Sequence, residues 1–213
     1  MDERNETKSR ARIVSSKEEM HRYLSIDIGH ENLDPRDPGF VKPAVDSCLA
    51  RFFSPEDREI NCEKCRVGKI ATQTMEIVSL PRVILLHLKR FIAVERYSAL
   101  TDKTKLVFKK NKVPVELSRT LSIDETLLVD KKNSGADGKR IIDEYGLKSI
   151  VHHIGDTANS GHYTTDALRK NPEDGTDRWV SYDDGVTDEK SPEAVALSTT
   201  NQKTAYMLLY TAK

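Results

Sequence analysis

The sequence predicts an α+β fold, a mainly antiparallel sheet accompanied by a few short helices. Three observations point there. From Asn61 onward the apolar residues come in short runs rich in Val, Ile, Thr and Tyr, punctuated by Gly, Pro, Asn and Asp. Helical periodicity is confined to the stretch after Pro43, and a helix-capping signature stands at Ser191-Pro192-Glu193. No internal repeat is visible.

Taken in order, the first dozen residues are polar and read as loose. Arg22 to Ile28 sets Tyr23, Ile26 and Ile28 around polar neighbours, as a half-buried strand does. Glu31 to Gly39, with two prolines and a glycine, is a turn region. Then Ala44, Cys48, Phe52 and Val45, Leu49, Phe53 each step by four, which predicts one helix with a wide apolar face, stopped at Ser54-Pro55. Arg66 to Ser79 is β-prone and Pro81 breaks it. Val83 to Phe91 reads as a strand buried on both faces. Lys105 to Phe108 and Lys112 to Leu117 read as short strands around a Lys-Lys-Asn turn, and Lys131 to Lys139 as a flexible surface loop. Glu144 to Ile154, Gly161 to Leu168, Arg178 to Asp183 and Ala205 to Thr211 complete the strands.

With 213 residues and 37% hydrophobic content, the chain can bury a core and form one large domain or two small ones. Thirty-four basic residues balance thirty-four acidic ones, so charge predicts neither nucleic acid nor an anionic membrane as partner. A protein or a small substrate fits better. The longest aliphatic run, Val83 to Leu86, falls far short of the roughly 20 residues that span a bilayer. The N-terminal residues are charged and mixed in sign, without the apolar core of a signal peptide. A soluble protein is therefore expected. Three cysteines without disulfide-framework spacing favour a reducing intracellular compartment, cytoplasm or nucleus.

The chemistry concentrates near the C-terminus. Ser160-Gly161-His162-Tyr163-Thr164 and Trp179 to Asp184 are two strand-like segments separated by the turn formers Asn171-Pro172-Glu173-Asp174-Gly175. Antiparallel pairing centred on that turn would set His162 directly opposite Asp183, and an Asp beside a His can fix its tautomer and stabilise the imidazolium. His162 also reads as a sheet histidine satisfied by a neighbour, and the nine-residue connection does not itself fix the register. Gly161 allows close backbone approach, and Gly155 to Ser160 form a mobile polar loop of the kind that borders active sites. His152 and His153 alternate faces of one strand and read as structural.

Cys62 and Cys65, as Cys-Glu-Lys-Cys, are half of a tetrahedral zinc site or a redox pair. With two thiolates alone, metal is expected only if a second ligand pair is supplied. Cys48 falls on the apolar face of the predicted helix and reads as core.

On these motifs the chain resembles the C-terminal part of the catalytic domain of ubiquitin-specific proteases, the papain-like deubiquitinases. Leu80 to Phe91 looks like the family's strand motif, and Tyr145 to Gly155 running into Ser160-Gly161-His162-Tyr163-Thr164 is similar to its histidine box. Trp179 to Asp184 and Ala205 to Tyr210 look like the closing segments. The resemblance implies a partial catalytic domain over 1–213, with residues 1–80 on the fingers side and 81–213 forming the palm. By the same resemblance His162 is the general base, Asp183 orients it and Asp184 gives polar support. Gly155, Asp156, Asn159, Ser160 and Gly161 belong to a loop over the ubiquitin tail, and Arg96 to Lys105 is similar in position to a second such loop. Cys62 and Cys65 correspond to half of the fingers zinc site. The family's cysteine box lies in a helical thumb that has no counterpart here, so no nucleophile is assigned and no cofactor is required for catalysis. The resemblance thus implies a deubiquitinating thiol protease acting on ubiquitin conjugates, represented by its His/Asp part and inactive alone, with the missing N-terminal half as a possible partner. Two other readings stand beside it: a ubiquitin-binding or regulatory module that never had a nucleophile, and an unrelated β-rich protein.

Overall fold

The structure, a computed structural model, describes residues 16–29, 39–60, 70–124, 127–129 and 144–213. In chain order the described elements are β1 (Leu24–Ile26), α1 (Val45–Phe52), β2 (Glu56–Glu59), β3 (Ile70–Gln73), β4 (Val83–Leu88), β5 (Phe91–Ser98), β6 (Lys103–Lys110), β7 (Thr120–Ser122), β8 (Glu144–Ile154), β9 (His162–Lys170), β10 (Asp177–Asp183), β11 (Val186–Lys190), α2 (Pro192–Leu197), α3 (Thr199–Thr204) and β12 (Ala205–Ala212).

One eight-stranded sheet organises the molecule, in the order β1-β4-β12-β8-β9-β10-β11 with β7 also paired to β8. Every pairing in it is antiparallel except β1 with β4. The α+β expectation of a mainly antiparallel sheet with a few helices therefore holds. Two ribbons, β2–β3 and β5–β6, stand outside it.

The strand alternation read from the sequence is what builds the core. Along β8 the residues Tyr145, Leu147 and Ile150 turn inward, and along β12 Ala205, Leu208 and Tyr210 do the same. They meet Ile26, Leu86, Leu88 and Leu121 from neighbouring strands and Val45, Cys48 and Leu49 from α1. Each buried Leu, Ile or Val among them contributes about 1.5–3 kcal/mol by leaving water. Helix α1 ends as expected: Ser54 donates its backbone N–H to Arg51 O, and Pro55 follows.

Two expectations are corrected. Val83 to Phe91 is not one strand buried on both faces: Ile84, Leu86 and Leu88 are buried, Leu85 and His87 are half-buried and Val83 is exposed. The strand ends at Leu88, and Arg90 turns fully into the interior. Its guanidinium donates to the carbonyls of Ala205, Asn111, Val113 and Gln202 at 2.5–3.1 Å. Burial pushes it down to about 10, so it stays cationic at neutral pH, satisfied by four carbonyl dipoles in place of a carboxylate. Nor is Lys112 to Leu117 a strand paired around a Lys-Lys-Asn turn. Strand β6 continues through Lys110 and pairs upstream with β5, while Val113, Val115 and Leu117 enter the core from an irregular segment. That segment bonds to the entry of α1 and to α3 through Glu116 N to Pro43 O at 2.8 Å and Val115 N to Gln202 O at 3.0 Å.

Candidate active site

His162 and Asp183 come together because of how two turns end. Strands β8 and β9 pair up to Ile154 opposite His162, so the residues 155–161 must close the connection. Gly155 opens it with φ +129°, a conformation natural to glycine. Inside it, Ser160 N donates to Thr157 Oγ1 at 3.2 Å and the two hydroxyls lie 2.7 Å apart. Gly161 closes it with no room for a side chain, since a Cβ there would overlap His153 Nε2 and lie 2.6 Å from Ile154 O.

The expected register is corrected by two residues. β9 and β10 pair with Trp179 opposite Leu168 and Tyr182 opposite Thr165, and the ladder stops there. Asp183 is thus not directly opposite His162 but diagonal to it on the same face, a spacing that long side chains bridge. The cause lies in the turn: Asn171 Oδ1 accepts from Glu173 N and Asp174 Oδ1 from Thr176 N, shifting the centre toward Gly175 at φ +70°. The diagonal is spanned: His162 Nε2 meets Asp183 Oδ1 at 2.5 Å. The hydrogen bond to Asp183, then its charge, raise the imidazole above the ordinary histidine value, and Asp184 adds a smaller contribution. With Nε2 engaged, Nδ1 has no hydrogen-bond partner among the described residues.

Asp184 sits at φ +47° in the two-residue connection of β10 to β11, where Asp183 pairs with Val186. Ligand atoms of His162, Asp183 and Asp184 lie within 4.8 Å of one another. Such a trio can hold a cation, yet here Nε2 is engaged by Asp183, which favours a hydrogen-bonded acid–base group.

The rim is fastened from the side by residues the sequence reading missed. Lys110, buried at the end of β6, donates through Nζ to the carbonyls of His153 and Gly155 at 2.5 and 2.9 Å and meets His153 Nδ1 at 3.0 Å. Burial, then neighbouring Arg90, lower its ammonium below the ordinary lysine value. Lys112 pairs with Asp156 at 2.6 Å and lowers that carboxyl. The loop is thus bonded at Gly155 by Lys110 and paired at Asp156 with Lys112, while Asn159 and Ser160 stay exposed. The signal that could have found Lys110 is its place beside Asn111 in a strand that otherwise exposes its charges.

His152 and His153 do alternate faces, and both are buried. Cys48 is buried in α1, where burial raises its thiol, with Arg51 Nη2 at 3.5 Å from Sγ. Such a thiol resists becoming a thiolate. Cys62 and Cys65 lie outside the described residues, between β2 and β3 in sequence.

Known proteins resemble this chain over most of its length. A family model described as ubiquitin carboxyl-terminal hydrolase matches residues 5–210. Ubiquitin carboxyl-terminal hydrolase 4 of Arabidopsis thaliana is 28% identical over 84% of this chain and 41% of its own length. Ubiquitin carboxyl-terminal hydrolase 12 of Salmo salar is 26% identical over 94% of this chain and 48% of its own. The chain thus spans less than half the length of these relatives. Among solved structures, the SAGA Ubp8/Sgf11/Sus1/Sgf73 DUB module bound to ubiquitin aldehyde superposes with a TM-score of 0.60 at 26% identity, covering 90% of this chain and 36% of that one. The same module bound to monoubiquitin gives 0.58 at 25% identity, covering 90% and 35%. The folds agree as papain-like deubiquitinase folds do, the match embraces both His162 and Asp183, and the chain belongs to the ubiquitin carboxyl-terminal hydrolase family.

Proposed function

We propose that this chain is the base-bearing portion of a deubiquitinating cysteine protease, hydrolysing conjugates at the C-terminal glycine of ubiquitin. The observation that carries the reading is the His162–Asp183 contact at 2.5 Å, with the second imidazole nitrogen left open. Asp183 accepts from Nε2–H and so holds the tautomer whose Nδ1 can take a proton. A cysteine thiol brought to Nδ1 would pass its proton there, its thiolate would attack the glycine carbonyl, and the imidazolium would return the proton to the departing lysine amine. Attack forms the thioester as the amide bond breaks, and water then releases ubiquitin. Asp184 adds negative potential behind the imidazolium.

The thiol comes from outside this chain's three cysteines. Cys48 is buried among apolar side chains, and Cys62 with Cys65 is the half site for structural zinc, filled when a second ligand pair is supplied. The isolated chain therefore binds ubiquitin without cleaving it. The apolar face of β5–β6, with exposed Tyr97, Leu106 and Phe108, continues toward half-exposed Tyr163 beside His162 and suits a protein substrate.

The test is to supply the thumb segment of a close relative in trans and assay a fluorogenic ubiquitin substrate. Turnover should appear and vanish in His162→Ala. Turnover by the chain alone that disappears in Cys48→Ser would overturn the assignment of Cys48, and restored turnover indifferent to His162 would overturn the triad.

A further inference from the structure

The β5–β6 ribbon pairs with no third strand among the described residues, and its two faces differ sharply. Its register sets Arg96 opposite Lys105, Ser98 opposite Lys103 and Ile92 opposite Lys109 on one face. That face holds four cations and no acid. The acids of the two strands and their turn, Glu95 and Asp102, lie on the other face and at the tip, with Asp102 accepting from Tyr97 Oη at 2.8 Å. Between the cations, Val94 faces Val107 and Ile92 lies on the same face, all three half-buried.

Like charges directly across an antiparallel pair destabilise it, so Arg96 opposite Lys105 is a local cost with no compensating acid among the described residues. Neither these two nor Lys103 has an ion-pair partner among the described residues. Lysines on a strand edge also discourage aggregation, but that purpose would place them beside exposed apolar residues. Here the exposed Tyr97, Leu106 and Phe108 lie on the opposite face.

We propose that the cationic face of this ribbon docks an acidic, aliphatic-rich segment of a partner protein. Charge complementarity identifies the acidic character, since this face concentrates positive charge on a chain whose net charge is zero. The aliphatic floor of Ile92, Val94 and Val107 identifies the rest: a peptide alternating acidic and branched apolar residues meets cations and floor together. A nucleic acid would look for stacking rings, and the ribbon's aromatic residues are on the other side. The open edges of β5 and β6 let such a segment lie alongside as an added strand. The proposal holds whether or not the proposed catalysis does.

Fluorescence anisotropy of the purified chain with a labelled peptide alternating glutamate and valine tests this, with a lysine–valine peptide and single-stranded DNA as competing probes. The glutamate peptide should bind best and weaken as salt rises. Arg96→Glu combined with Lys105→Glu should weaken it about tenfold or more with unchanged thermal unfolding, while Phe108→Ser on the opposite face leaves it alone. Tighter binding of DNA, equal binding of the lysine peptide, or indifference to the double substitution in a folded protein would each overturn the proposal.

Discussion

Two histidine–aspartate pairs stand on the same three strands, and they have opposite characters. His152 Nε2 meets Asp166 at 3.2 Å with both side chains almost wholly buried, whereas His162 Nε2 meets Asp183 at 2.5 Å with side-chain exposures of 44% and 56%. In the buried pair every polar atom is engaged. His152 Nδ1 bonds Thr204 Oγ1 at 3.1 Å, and Asp166 also receives Lys190 Nζ at 2.9 Å and Asn201 Nδ2 at 3.1 Å. In the exposed pair Nδ1 stays open. The same chemical couple is a fastening when saturated, and with one nitrogen left free it can serve as the acid–base pair proposed above. Burial decides which.

The largest effect expected from breaking this contrast is on stability. Burial works to raise the Asp166 carboxyl, but the hydrogen bonds from His152 and Lys190 overrule it and hold it at about 2. A carboxyl lowered by folding stabilises above its ordinary value, and that contribution disappears as pH falls through the folded one. The window is therefore roughly pH 4 to pH 2, and the contribution about 2 kcal/mol. Asp166→Ala should cost about 3–5 kcal/mol in denaturant unfolding at neutral pH, because Lys190 and His152 lose their acceptor. Asp183→Asn should leave the unfolding midpoint nearly unchanged, as exposed pairs contribute little. Equal losses in the two variants would mean that the exposed pair is structural after all.

A second, smaller effect is expected at Gly161. Gly161→Ala forces a Cβ onto the His153 ring and the Ile154 carbonyl, and the backbone carbonyl cannot move aside. A loss of about 1–3 kcal/mol is expected by unfolding, of the size of other overpacked sites. The His162 imidazole resonances should shift toward those of a free histidine, because the residue just before it is displaced. Gly185→Ala, where a Cβ meets nothing, is the matched control.

How far the sequence foretold this differs between the halves of the chain. The segments around the site were legible: Glu144–Ile154 is one strand as read, His162–Lys170, Asp177–Asp183 and Ala205–Ala212 differ by a residue or two at their ends, and Ser191 Oγ caps α2 by accepting from Ala194 N. These strands carry one core face each, so their alternation shows. Strand β2, Glu-Asp-Arg-Glu, is exposed throughout and exists by pairing with β3, and β11 is charged along most of its length. Helix α3 is built of Thr, Asn, Gln and Lys and is fixed by its Ser198 cap and by burial of Asn201 and Gln202. Tertiary context made those elements, and no periodicity announced them. The His162–Asp183 partnership was legible as an idea, but its register was set by Asx hydrogen bonds in the turn that residue counting misses. Of the two histidines at 152 and 153, nothing local told that one would face a buried aspartate.

The third prediction concerns titration. Because folding raises His162, the pair stabilises below the ordinary imidazole value, and that contribution is lost as pH rises through the raised one. By NMR, Asp183→Asn should lower the His162 midpoint clearly. In the complemented enzyme, the acid limb of the pH–rate profile should move down with it while the rate falls, since a base must be neutral to accept a proton. An unmoved midpoint would show that the 2.5 Å contact does not form in solution.

The smallest effect is expected at Asp184, and it sharpens the comparison most. Its influence on His162 is electrostatic and ranks below both contributions of Asp183. Alanine would strain the left-handed backbone at φ +47°, whereas asparagine tolerates that region and keeps the side-chain shape. Asp184→Asn is therefore the clean probe: the His162 midpoint should fall less than in Asp183→Asn, and turnover of the complemented enzyme should drop modestly. The reverse order would move the hydrogen bond from Asp183 to its neighbour and slide the working register of β10 by one residue. Because successive strand residues face opposite sides, such a slide would have to disturb Ser181 and Trp179 as well, so their amide shifts distinguish a changed partner from a changed strand. With those shifts still and the midpoints ordered as expected, the diagonal from His162 to Asp183 is the working contact, and Asp184 adds only its charge.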